Sequence, residues 1–524
     1  MTDSTQKTAV FLGILFISVL TVFTWAFVVF QNRPNPAQYP QFVMWDSVHL
    51  ALSNDGVHET AGPAMADSNG LIRTGAYLLS RFGHSYAILT SVQVPFLVIL
   101  ILSVGVLAWR YGGLFAVLPA ALFTSLSPIT IGLSQQLDDF LPIQAMVAFC
   151  LALLAWSEKE NRVWLSWLCI PSLCTLPWIS LIPTNGLLGM AVFFVGAAAI
   201  LAFPVEEKQS SFTWRFIGLF LAFYFAGWVY YSRFSLHYFQ YIQGEASHLP
   251  QYPGILENPA GLLGYPVAWF LLLAGPVLAL ASFAAIALFA YNKNFRVIVP
   301  ALCWLFIPMI ALSILGKRNA YYLFSALPAT YVLAGLFISK IRPRILAICL
   351  ALIMTCILSY ERLDDHFNPQ DIKPIDGTMG FQTPLVKTYY SPLSPQIPEE
   401  KIRDSLIDKC EGRGFQFLFV HPFDMDWKAV FYIWTARPDL FVNEENRAIQ
   451  PKKGACRLAT IPEGIQDPRN LDQILKHYKS RVDENWPGNE LMNANFKKSQ
   501  QLIEHYEYHS MHNNMALFLP KSEI

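Results

Sequence analysis

The sequence predicts a polytopic α-helical membrane protein with a folded α/β domain at its C-terminal end. Three observations make that prediction. Of the 524 residues, 54% are hydrophobic and only 14% are charged, too little charge to cover a soluble chain of this length. The apolar residues gather in runs of roughly 18–25, the length a helix needs to cross a hydrocarbon core of about 30 Å. Beyond Tyr360 the composition turns polar and rich in Pro, Asn and charge, as an aqueous segment requires. The mean hydropathy is positive and the formal net charge is zero, with no basic tail or stripe, so nucleic acid is not an expected partner.

Taken in order, about eleven spans are expected, at 9–30, 86–108, 114–133, 140–157, 163–182, 186–204, 215–232, 263–290, 296–315, 321–339 and 345–359. The first, Ala9–Phe30, is too long for a signal-peptide core and has no small-residue cleavage site, so it reads as an uncleaved span. Between Val163 and Phe203, Pro171, Pro177 and Pro183 interrupt the pattern, and a kinked or re-entrant segment is expected there.

Orientation follows from the short loops. With a cytoplasmic N-terminus, the inner connections hold Lys7, Arg110, Lys159, Arg162, Lys208, Arg215, Lys293, Arg296, Lys340, Arg342 and Arg344, as the positive-inside tendency demands. The outer side then receives the long loops 31–85 and 233–262 and the whole segment from Tyr360. This divides the chain into a membrane domain, 1–359, and an extracytoplasmic domain, 360–524. In the latter, β-like runs at Phe415–His421, Leu440–Asn443 and Met515–Leu519 and a helix at Trp427–Thr435 suggest an α/β fold. Cys410 and Cys456 are its only cysteines, a pair that an oxidising compartment would join. The absence of any Asn-x-Ser/Thr sequon favours a bacterial envelope, and with it the inner (plasma) membrane.

Candidate chemistry lies on the outer side. Gln41–Ser53 can form an interfacial helix, with Trp45, Val48 and Leu52 on its apolar stripe and Asp46, His49 and Ser53 beside it. Asp46 at that boundary is a candidate general base, the alternative being a solvated acid on an amphipathic helix. Arg73, Tyr77 and Arg81 fall at i, i+4, i+8 and could hold a phosphate or sugar, or anchor a helix to headgroups. The short loop Ser134–Asp139 ends in Asp138 and Asp139. Acids beside a span terminus are functional candidates, although either could instead cap the helix starting near Phe140. Lys317 and Arg318, followed by Tyr321 and Tyr322, place positive charge where the topology rule disfavours it, and a lipid-linked phosphate would give it a partner. No zinc spacing, phosphate-cradling glycine loop, Ser-His-Asp pattern or nucleotide fingerprint occurs. A divalent cation is not supported by any ligand spacing, and the cofactor requirement stays open.

Three segments carry a resemblance. Asn69–Trp109, with LIRTGAYLLSRFG ahead of a span, Leu126–Trp156, containing SQQLDDF, and Gly316–Gly335, GKRNAYYLFSALPATYVLAG, resemble in order and placement the GT-C glycosyltransferases, in the branch of protein O-mannosyltransferases and the lipid A aminoarabinose transferase. The resemblance covers about the first 360 residues. It implies transfer of a sugar from a polyprenyl-phosphate-linked donor to a lipid, protein or glycan acceptor at the outer leaflet. Asp46 would activate the acceptor, Asp138 or Asp139 would be the second acid, and Lys317 and Arg318 would hold the donor phosphate, with Tyr321, Arg73 and Arg81 nearby. Many relatives carry two adjacent acids in the first loop, whereas Ser47 follows Asp46 here. The alternatives are a transporter or flippase of polyprenyl-linked glycans, which should show internal repeats and polar mid-membrane breaks, and a non-catalytic assembly partner of the same fold.

Overall fold

The computed structural model describes residue 8, residues 11–23, 70–82, 86–134, 138–180, 183–204, 212–234, 263–314 and 320–367, and in the C-terminal segment parts of 407–417, 454–460, 467–481 and 493–521. In chain order the membrane part contains α1 (Phe11–Phe23), α2 (Gly70–Phe82), α3 (Ile88–Gly112), α4 (Leu114–Leu126), α5 (Pro128–Ser134), α6 (Phe140–Lys159) and α7 (Val163–Ile179). There follow α8 (Pro183–Ala202), α9 (Phe212–Phe234), α10 (Gly264–Ala268), α11 (Gly275–Tyr291) and α12 (Phe295–Ile314). A 3-10 segment, Ala320–Ala326, leads into α13 (Pro328–Lys340), and α14 (Arg344–Phe367) ends the series.

Among the described residues, six helices are long and apolar enough to cross a membrane, or seven if the bent pair α10 and α11 counts as one span. Shorter apolar helices at Phe11–Phe23, Leu114–Leu126, Val163–Ile179 and Arg344–Tyr360 occupy the remaining expected intervals. The breaks have local causes. Ser127, forced out of the α region by Pro128, takes ψ 123° and separates α4 from α5. Pro171 and Pro177 lack the amide proton that an unbroken helix needs, and α7 is accordingly three short helices that stop at Ser180. Gly275, at φ 74°, sits where α10 and its π-helical extension Trp269–Leu273 turn by 112° into α11.

The bundle packs around α3, α6 and α13. Gly335 of α13 lies so close to α4 that a Cβ would stand 2.6 Å from the Ala116 carbonyl oxygen and 2.7 Å from the Ala120 Cβ. Such small-residue crossings are how membrane helices gain van der Waals contact without a solvent-driven force between them. Several buried polar side chains pair across helices. Trp269 Nε1 donates to Thr330 Oγ1 at 2.9 Å, and the Tyr331 hydroxyl donates to Ser127 Oγ at 2.7 Å and lies 3.2 Å from Thr130 Oγ1. The outer faces are different. Trp214, Phe216, Phe220, Tyr224 and Trp228 of α9 and Ile345, Leu346, Ile348, Leu352 and Ile353 of α14 are exposed. Contiguous apolar faces of that kind are stable against lipid and not against water. The chain is an integral membrane protein.

Cations collect at one end of the bundle. Arg110 Nη2 lies 3.1 Å from Glu158 Oε1, both buried, and Arg215 Nη2 donates to the Ser157 carbonyl at 2.7 Å. The Lys159 ammonium stands 3.5 Å from the Trp109 ring centroid and the Arg344 guanidinium 4.3 Å from that of Phe115. Gly112, at the same end of α3, abuts Leu336 and Ser339 beside Lys340, whose ammonium lies 4.9 Å from the Phe289 ring. Residues far apart in sequence but grouped by the inner-loop reading therefore share one end.

In the C-terminal segment, β1 (Phe415–Phe417), β2 (Cys456–Thr460), β3 (Tyr506–His512) and β4 (Met515–Pro520) form a sheet of order β1-β2-β4-β3. β1 runs parallel to β2, and the other pairs are antiparallel. α15 (Leu471–Arg481) covers it, burying Leu471 and Ile474 with Ala459, Phe496, Tyr506, Ala516 and Phe518. Cys410 and Cys456 form a disulfide. The expected strands at 415 and 515 are found. The runs 418–421, 427–435 and 440–443 lie outside the described residues, and β2, β3 and α15 went unread in the sequence.

Candidate active site

Of the sequence-predicted acids, Asp138 and Asp139 lie at the end of the bundle opposite the cations. Asp138 and Asp139 precede the first turn of α6, and both are buried, at 3% and 2% exposure. Their roles differ. Asp138 Oδ1 accepts the Phe140 amide at 3.1 Å, satisfying one of the four amides that a helix start leaves open. Asp139 makes no side-chain cap. Its carboxylate instead takes Asn185 Nδ2, which stands 3.0 Å from Oδ1 and 3.2 Å from Oδ2. Asn185, itself buried, comes from the first turn of α8.

Two glutamines frame this turn. Gln93, fully buried in the first turns of α3, donates Nε2 to the Asp138 carbonyl at 2.7 Å. Gln144, fully buried in α6, donates Nε2 to the Phe324 carbonyl at 2.9 Å. Phe324 belongs to the 3-10 segment that follows Lys317 and Arg318 in sequence, and its ring meets that of Phe140 edge-on, with centroids 5.4 Å apart. Trp304 Nε1 donates to the next carbonyl, that of Ser325, at 3.1 Å. The acid turn and the 320–326 segment thus touch, although 180 residues separate Gln144 from Phe324.

Helix α2 belongs to the same end. A Cβ on Gly70 would stand 3.3 Å from the carbonyl oxygen of Trp178, in the last turn of α7. Leu71, Ile72 and Ala76 are buried, while Arg73, Tyr77, Arg81 and Phe82 are exposed. The Arg81 guanidinium lies 5.8 Å from the Tyr77 ring centroid. Arg73 and Arg81 therefore stand on an exposed face at this end, whereas both acids are buried. Asp46, Lys317 and Arg318 lie outside the described residues, and of Tyr321 the backbone alone is described, within the 3-10 segment. Sequence reasoning passed over Gln93, Gln144 and Asn185. The signal was present, since each is an amide at or inside an otherwise apolar span, where polar groups need a partner.

No family model and no curated protein matches the sequence. Solved structures do match. ArnT from Cupriavidus metallidurans in the apo state has a TM-score of 0.56 at 13% identity, covering 96% of this chain and 97% of that one. The same protein bound to undecaprenyl phosphate gives 0.57 at 11% identity, with 97% and 98% covered. The Archaeoglobus fulgidus oligosaccharyltransferase in the apo form gives 0.43 at 13% identity, with 83% and 64% covered. Along nearly its whole length the chain has the fold of ArnT.

Proposed function

We propose that the chain is a glycosyltransferase that moves a sugar from a polyprenyl-phosphate-linked donor to an acceptor at the outer face of a bacterial inner membrane. The observation that carries this reading is the end-to-end likeness to ArnT, one structure of which is bound to undecaprenyl phosphate. The buried acid turn packed on the 320–326 segment supports it, since that segment directly follows Lys317 and Arg318. Sugar transfer from a phosphate leaving group needs positive charge where negative charge develops, and a base for the acceptor. Lys317 and Arg318 supply the charge, with Arg73, Arg81 and Tyr321 as further donor contacts, and Asp46 is the base. Of the acid pair, Asp139 is the second acid and Asp138 caps α6. The cation-rich end of the bundle is cytoplasmic, and the acids, the donor and a domain spanning 360–524 lie outside.

The test is reconstitution in nanodiscs with undecaprenyl-phosphate sugars. Wild type is expected to release undecaprenyl phosphate and glycosylate an envelope acceptor. Asp46→Asn should insert normally and lose transfer by on the order of 10²–10⁴ from the missing base. Normal turnover of Asp46→Asn would remove it from that role. Absence of transfer from every such donor would remove the reading itself.

A further inference from the structure

Gln93 and Gln144 share an arrangement that packing does not explain. Each is fully buried, donates Nε2 to a main-chain carbonyl on a different element, and leaves its Oε1 without a partner among the described residues. Burying an amide side chain inside an apolar bundle carries a desolvation cost that a single hydrogen bond offsets only in part. What each amide does provide is a fixed position for one carbonyl. The two carbonyls belong to Asp138, in the acid turn, and to Phe324, in the segment packed on that turn. Both segments are short and irregular. The acid turn is a bend ahead of α6, and 320–326 is a 3-10 helix, so neither is held by an α-helical ladder of its own.

We infer that Gln93 and Gln144 are positioning residues of the transfer site, two amide pins that hold the acid turn and the 320–326 segment in register with each other. Gln93 fixes where the carboxylate of Asp139 sits by holding the carbonyl of the residue before it. Gln144, one turn into α6, ties the same helix to Phe324. The inference rests on the proposed reaction for its effect on rate. Its structural content stands apart from that reaction.

The experiment combines hydrogen exchange with kinetics on the full chain in nanodiscs. In Gln93→Met, exchange of the amides at 138–141 should rise at least tenfold while those at 322–326 hold. Gln144→Met should show the reverse. Turnover should fall about ten- to hundred-fold in each, as a displacement near 1 Å does to a reacting pair, with donor KM changed less than about threefold. Gln93→Asn and Gln144→Asn keep an amide one methylene short and should give the same crossed pattern should a methionine variant fail to insert. Unchanged exchange at both segments overturns the inference, and so does loosened exchange with normal turnover. A uniform rise at both segments together with a lowered melting temperature makes the glutamines ordinary core residues and overturns it too. If wild type transfers no sugar from polyprenyl phosphate, the proposed function falls by itself, and the crossed exchange pattern still decides whether the amides pin their segments.

Discussion

Asn185 Nδ2 bridges both carboxylate oxygens of Asp139, at 3.0 and 3.2 Å, inside a buried junction between α6 and α8. A neutral amide fixes the plane of a carboxylate without adding a countercharge to it. Replacing Asn185 by Leu removes a hydrogen bond to a charged group, worth about 1.5–3 kcal/mol. If Asp139 acts in transfer, Asn185→Leu should lower turnover about ten- to hundred-fold. Asn185→Asp, which sets a second acid against the first, should be worse. Donor-saturated rates in nanodiscs measure this, and a wild-type rate for Asn185→Leu would reduce Asp139 to a helix-start residue.

The neighbouring acids give a sharper contrast. Asp138 accepts the Phe140 amide, a task that asparagine performs equally well at a helix start. Asp138→Asn is therefore expected to stay within about twofold of wild type. Asp139→Asn keeps the shape and loses the charge, and should fall by on the order of 10²–10⁴ if the carboxylate handles a proton. Equal losses in the two variants would contradict this division of labour.

Much of this site was legible from the sequence as parts, and little of it as an assembly. The acids at 138–139 stand out because carboxylates are rare beside apolar runs, and the cations clustered at the other end because charge in short loops is biased. Asn185, Gln93 and Gln144 are single amides whose meaning depends on which carbonyl or carboxylate lies across the bundle. That information is carried by helix packing and by no local pattern. The eleven apolar intervals were readable because span length is fixed by the bilayer, whereas the break at Ser127–Pro128 and the turn at Gly275 only shortened what looked like continuous runs. In the C-terminal segment, β2 was missed because its five residues, Cys456–Thr460, include Arg457, which is fully buried in the sheet. A buried arginine breaks the alternation on which strand reading relies.

Topology offers an independent check. Arg110, Glu158, Lys159 and Arg215 meet at one end of the bundle, and the acid turn lies at the other end of the same helices. Reporter fusions after Arg110, Lys159 and Lys340 should read cytoplasmic, and fusions after Tyr360 extracytoplasmic. A cytoplasmic reporter signal beyond Tyr360 would set the C-terminal segment and the acids on the wrong side for an outer-leaflet donor.

The disulfide makes a second compartment-dependent prediction. Cys410 and Cys456 are 46 residues apart, with Cα atoms 6.0 Å apart, and both are fully buried. A loop of that length contributes about 4 kcal/mol by chain entropy. Cys456→Ser should lower the melting temperature of the C-terminal segment and speed its proteolysis, and non-reducing gels of wild type from membranes should show the oxidised form. Free thiols at both positions in freshly isolated membranes would count against an oxidising location.

The last prediction concerns the cations that precede the 320–326 segment. On the proposed topology Lys317 and Arg318 are among the few basic residues outside, and contacts hold the residues just beyond them: Gln144 to the Phe324 carbonyl, Trp304 to the Ser325 carbonyl, and the edge-on ring of Phe140. An anchor needs only charge near a headgroup. Replacing either cation by Gln would then change stability by well under about 1 kcal/mol and leave kinetics alone. A phosphate clamp in a partly dry site loses about 1.5–3 kcal/mol per charge-assisted contact, roughly ten- to hundred-fold in rate or donor requirement. The two roles also separate at Arg318→Lys. An ammonium keeps the charge and so satisfies an anchor, but it cannot supply the planar fork that grips two phosphate oxygens. Donor titrations with Lys317→Gln, Arg318→Gln and Arg318→Lys, alongside thermal melts, should show raised donor requirement or lowered turnover with folding unchanged, and Arg318→Lys should fall between wild type and Arg318→Gln. If both Gln variants use the polyprenyl-phosphate donor as wild type does, the phosphate must be held elsewhere, and the exposed Arg73 and Arg81 of α2 become the residues to test.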